Sequence, residues 1–124
     1  MQGEPSDSRT SMLRCEGWWE QVDFGRQPML DLRIQVAEGR IVGSGSDMVG
    51  PFTFSGTLSE AGQVGMLKQY IGGHRVDYVG SYDGEGTMWG HWRIGFAYGR
   101  WLITFRRGVA DTAAIQELVP AACS

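Results

Sequence analysis

Of the 11 basic residues in the chain, Lys68 alone is a lysine. It stands in a segment where Val64, Met66, Lys68 and Tyr70 alternate with other residues. Side chains two apart on a strand point the same way, so a strand here turns the ammonium toward an apolar interior. A charge in such a place is costly unless it is paired and hydrogen-bonded, so an oxygen partner is expected. Candidates are Tyr70, Tyr78 or another acceptor, and Glu20, which is in step with Trp18, Val22 and Phe24 on an earlier segment. Lys68, Glu20, Tyr70 and Tyr78 would then anchor a ligand pocket walled by Trp18, Phe54, Trp92 and Trp101. The competing reading sets Lys68 near one end of the fold, its ammonium extended to water over an apolar stem. The phase of the first segment decides the role of Glu20: with Trp19 inward, its carboxylate turns outward.

Other chemistry is poorly supported. His74 falls in a turn and His91 in the outward phase, so the two histidines are not expected to meet, and no third ligand accompanies them. No serine lies in a Gly-x-Ser-x-Gly elbow, which leaves an enzyme without a motif and no metal or other cofactor expected. Asp47, in Gly43-Ser44-Gly45-Ser46-Asp47, has no second acid in its loop to share a cation and is expected to cap backbone amides before Pro51. Cys15 and Cys123 have no zinc spacing. Joined they would require the termini to meet; the polar first residues carry no secretory signal, which points to a reducing cytoplasm and to thiols.

The elements that must position these residues are short. From Gly17 onward, alternating segments begin near Trp18, Leu30, Arg40, Phe52, Val64, Arg75, Thr87 and Arg100, about 10 to 13 residues apart, the period of a strand plus a hairpin loop. The connections hold many of the 19 glycines and none has room for a crossover helix, so neighbours should pair as an antiparallel meander. Eight such strands avoid exposed edges by closing, which predicts an all-β, eight-stranded up-and-down barrel. Leu32, Ile34 and Val36 set its inward face and Asp31, Arg33 and Gln35 its outward face; Gly43, Gly45, Gly56, Gly80 and Gly90 fall in the inward phase, where the sheet bends or large neighbours fill in. Residues 1–14 read as a flexible leader ahead of a single domain, 15–124. Ala114, Ile115, Leu118 and Val119 form the stripe of a short C-terminal helix at about 111–119, ended by Pro120.

This order of elements resembles the calycin group of small barrels, avidin-like and lipocalin-like, over residues 17 to 107. Gly17-Trp18-Trp19 on the first strand and Arg106 or Arg107 near the end of the last carry the likeness to lipocalins, and the compact meander is similar to avidin in size. Avidin's biotin-contacting residues are not in register, so the resemblance implies a small-ligand barrel and not biotin. A further series, Gly43 to Asp47, Val49-Gly50-Pro51-Phe52, Lys68-Gln69-Tyr70, Tyr78-Val79-Gly80 and Gly90-His91-Trp92, is similar to one in bacterial proteins without assigned function and implies no activity.

With 124 residues, 42% of them hydrophobic, the chain can bury one modest core, and no apolar run reaches a membrane span. A net charge of -3 lacks the basic footprint of a nucleic-acid binder. The function expected is therefore non-enzymatic binding of a small, apolar or weakly acidic molecule in an aromatic-lined lumen, with neither nucleic acid nor membrane as partner. The alternative is a structural or interaction module with a filled core, acting through its outer face. Trp89 and Leu102 would mark that face as a homo-oligomer contact, unless the terminal helix covers them.

Overall fold

The computed structural model describes residues 12–106. Eight strands follow one another: β1 (Leu13–Gln21), β2 (Gly25–Ala37), β3 (Arg40–Ser46), β4 (Pro51–Leu58), β5 (Gln63–Tyr70), β6 (Arg75–Tyr82), β7 (Thr87–Ile94) and β8 (Ala97–Phe105). Each pairs antiparallel with the next, and β8 pairs back onto β1, so the sheet is a closed up-and-down barrel. No helix occurs among the described residues, and the expected helix at 111–119 lies outside them. β1 begins at Leu13, two residues inside the stretch expected as leader, and buries Leu13 and Cys15.

The short links work because the backbone supplies what tight turns require. Between β2 and β3 only Glu38 and Gly39 intervene, at φ 54° and 78°, the paired positive values of a type I′ hairpin. Inside β2 the register slips by one residue against both neighbours, and Asp31, at φ 52°, sits at the slip. This β-bulge explains why Met29 and Leu32, three apart, both face the core. Beyond it Leu32, Ile34 and Val36 are buried as the alternation requires, with Asp31 and Arg33 exposed and Gln35 half-buried.

Two inward glycines stand opposite each other, Gly80 on β6 and Gly90 on β7. A Cβ on Gly80 would strike the carbonyl oxygen of Trp89, and one on Gly90 that of Val79. The Trp101 indole lies beside this bare stretch and donates its N–H to the Val79 and His91 carbonyls at 3.2 and 3.1 Å. A large ring thus fills what the glycines leave, as their inward phase implied.

The first strand corrects the sequence-based phase. Leu13, Cys15 and Trp19 are the inward residues of β1, so Trp18 and Glu20 face outward, and Val22 and Phe24 leave the barrel in an exposed turn. Alternation allows either phase for a Trp-Trp pair. What selects the odd one is Leu13 and Cys15, upstream of where the alternation was read.

Candidate functional site

Lys68, on β5, is buried and its partner is Asp47, just past the end of β3. Lys68 Nζ lies 2.7 Å from Asp47 Oδ2, with side-chain exposures of 1% and 0%. The same oxygen accepts from the Tyr70 hydroxyl at 2.8 Å and from Trp19 Nε1 at 3.1 Å, while Oδ1 accepts the Val49 amide at 2.9 Å. Four donors saturate an ionised carboxylate, the condition under which a buried charge is tolerable. The Val49 bond is the local backbone cap expected of Asp47; the other three reach across the barrel to β1 and β5. The loop between β3 and β4 is thereby tied over the barrel end.

Lys68 also donates to the Tyr78 hydroxyl at 3.2 Å, from β5 to the neighbouring β6. Its ammonium lies 4.3 Å from the centre of the Phe52 ring and 4.9 Å from that of Tyr70. Burial tends to raise the Asp47 carboxyl, but the Lys68 ammonium, the Tyr70 hydroxyl and the Val49 amide outweigh it and hold the group below its ordinary value. Burial pulls Lys68 down from its ordinary value, with Asp47 opposing. Burial, followed by contact with Asp47, raises the Tyr70 phenol; burial, followed by the nearby Tyr70 and Asp47, raises that of Tyr78. Both phenols therefore keep their protons at neutral pH and remain hydrogen-bond donors.

Above this cluster is a cavity of about 200 Å³. Trp19, Tyr70, Tyr78 and Trp92 provide its aromatic wall, Lys68 adjoins it, and Val76, Ile94 and Ala97 complete the apolar lining. Trp19 and Trp92 meet edge to face at 5.9 Å. Trp92 Nε1 donates to the Glu20 carbonyl at 3.1 Å, and Gly99 makes room for this indole, because a Cβ there would come within 2.7 Å of Nε1. Phe24, Val49, Gln21 and His74 line the cavity from the loop side.

Four loops converge at that end, and their tips are apolar: Val22, Phe24, Met48, Ile71 and Phe96 are all exposed, Val22 to 89%. At the opposite end the connecting turns carry Glu38, Glu60, Asp83 and Glu85. The barrel's lower half is filled, with Ile34, Ile41, Met88 and Ile103 almost wholly buried.

Of the six residues expected at a ligand site, Lys68, Tyr70, Tyr78 and Trp92 come together around this cavity, whereas Trp18 and Glu20 do not. Glu20 is no partner of Lys68: it bridges Arg100 at 2.9 Å and Arg26 at 3.2 Å on the outer surface. Arg100 foremost, then Arg26, holds its carboxyl below the ordinary value. Trp18 lies under Arg26, whose guanidinium is 3.7 Å from the ring centre. Trp101 and Phe54, expected as walls, do not line the cavity and are buried in the core. Sequence reasoning missed Asp47 as the anion and Trp19 as the wall. A signal for Asp47 existed, since a buried lysine needs an acid and the interior strand positions offer none once Glu20 turns outward.

Among the described residues, no group of three or more His, Cys, Asp and Glu side chains is placed to hold a metal ion, and no helix is long and apolar enough to cross a membrane. No family model, curated protein or solved structure matches the chain.

Proposed function

We propose that the barrel binds a small, largely apolar molecule in the cavity beside Lys68 and Tyr78. The observation that carries this reading is a space of about 200 Å³ between Trp19, Trp92, Tyr70 and Tyr78, in a barrel whose other half is packed solid. Ligand pockets are typically apolar concavities with a few convergent polar groups, and those for drug-sized molecules occupy about 300–1,000 Å³. The smaller volume here suits a one- or two-ring molecule. The apolar loop tips around the same end favour entry there, and the likeness to calycin barrels in Gly17-Trp18-Trp19 supports the same class of function.

A thermal-shift and tryptophan-fluorescence titration with small aromatic compounds tests it. A binder raises the melting temperature with concentration and quenches emission saturably, because it adds only to the folded state. Absence of both effects across single- and double-ring compounds at millimolar concentration overturns the proposal.

One observation favours a second reading, an interaction surface on the outer wall. Trp18, Leu102 and Trp89 stand opposite one another across β1, β8 and β7, and Trp89 is 44% exposed. Under this reading Trp89→Ser lowers the oligomeric state measured by light scattering and leaves the cavity unaffected; an unchanged mass counts against it.

A further inference from the structure

We infer that the cavity selects a neutral carbonyl compound and discriminates against a carboxylate of the same shape, because Asp47 already serves as the anion for Lys68. The inference rests on the binding reading above and narrows its ligand class. The sequence leaves a weakly acidic ligand beside the one lysine open, and the geometry of the cluster argues against it.

The charges come first. Lys68 and Asp47 form a pair 2.7 Å apart with both side chains essentially out of water. The pair is neutral as a unit. A carboxylate entering beside it would lose its hydration and find no uncompensated cation in return, with Asp47 as a like charge close by. Among the described residues the other cavity-lining side chains, Gln21, His74, the two phenols and the apolar wall, include no second lysine or arginine. A neutral ligand avoids that penalty.

Hydrogen-bond accounting then selects an acceptor. Tyr70 spends its hydroxyl proton on Asp47, and the Trp19 and Trp92 indoles spend theirs on Asp47 and on the Glu20 carbonyl. Tyr78 is different. Its oxygen accepts from Lys68, and among the described residues its own proton has no acceptor, although the residue is only 1% exposed and borders the cavity. A ligand oxygen without a charge, such as that of a ketone, aldehyde or amide, satisfies this donor and leaves the ion pair undisturbed. Tyr78 is thus the group that would hold the carbonyl, and Asp47 is the residue that determines specificity.

Three probes of nearly equal size separate the possibilities: acetophenone, benzoate, and α-methylstyrene, in which a methylene replaces the carbonyl oxygen. Their dissociation constants are measured at pH 7 by titration against the intact protein. The expected result is acetophenone tightest, with benzoate weaker by about tenfold or more, as an uncompensated buried charge requires. Tyr78→Phe removes the donor and keeps the ring, and it should cancel the advantage of acetophenone over α-methylstyrene while leaving α-methylstyrene binding within about twofold. Asp47→Asn, checked for folding by circular dichroism, leaves Lys68 uncompensated and should strengthen benzoate binding relative to acetophenone. Benzoate binding to the unaltered protein as tightly as acetophenone overturns the inference and leaves the binding reading standing. Failure of all three probes to bind overturns both.

Discussion

Replacing Asp47 by alanine strands an ammonium inside a ring of aromatic side chains, whereas replacing Lys68 by methionine leaves a carboxylate that still has three donors from Trp19, Tyr70 and Val49. The two halves of one ion pair are therefore unequal. Asp47→Ala should cost about 3–5 kcal/mol in urea unfolding, the range for breaking a buried pair, and Lys68→Met clearly less, since a thioether fills much of the same volume. Equal losses contradict this asymmetry. The pH dependence has a defined sign. Asp47 has a folded-state pKa below its ordinary 3.8. Its contribution is thus fully present above about pH 4 and is lost as the pH falls through the lowered folded-state value. Acid unfolding of the Asp47→Asn variant should lack that part of the limb; identical limbs count against the assignment. At this scale the sequence was legible for Lys68, whose alternation with Val64, Met66 and Tyr70 marked it as interior and in need of oxygen. For Asp47 it was legible only indirectly: a partner supplied by a loop leaves no periodic trace, and the need of a buried lysine for an acid points to it only once Glu20 is known to face outward.

At the scale of strands and turns, the closest approaches depend on glycines with no room for a methyl group. Gly90→Ala should destabilise by about 2–3 kcal/mol, because its Cβ would meet the Val79 carbonyl and crowd the adjacent Trp101 indole. Gly65→Ala, on β5, is the control, since a Cβ there has nothing within 4 Å. A melting temperature equally lowered by both changes would contradict the packing described. All eight strands begin within about five residues of the positions the alternation predicts, and β3, β6 and β7 begin at them. Periodicity and turn glycines suffice for that. They do not fix phase where two tryptophans are adjacent, as at Trp18-Trp19, nor do they reveal a bulge such as that at Asp31, which shifts the inward set of β2 midway. The burial of Leu13 resolves the first ambiguity only once β1 is known to pair with both β2 and β8.

As a whole the barrel is divided along its axis. Aliphatic side chains, with Tyr82 and Phe105, fill one half, while the other keeps an aromatic-walled space beneath loops with apolar tips. Closure of eight strands was legible because an open meander would leave two edges unpaired. Whether the interior would be filled or hollow was not, because an eight-stranded barrel is just wide enough for either, and the outcome depends on which aromatics turn inward. Tryptophans now report on that outcome from distinct places: Trp19 and Trp92 border the cavity, Trp101 packs beside Gly80 and Gly90, and Trp18 and Trp89 face outward. Their indole N–H resonances, followed by proton–nitrogen correlation NMR during titration with acetophenone, test the central claim most directly. Binding in the cavity predicts saturable shifts at Trp19 and Trp92, with Trp18 and Trp89 unmoved. Shifts confined to Trp18 and Trp89, or no saturable shift at all, would contradict it.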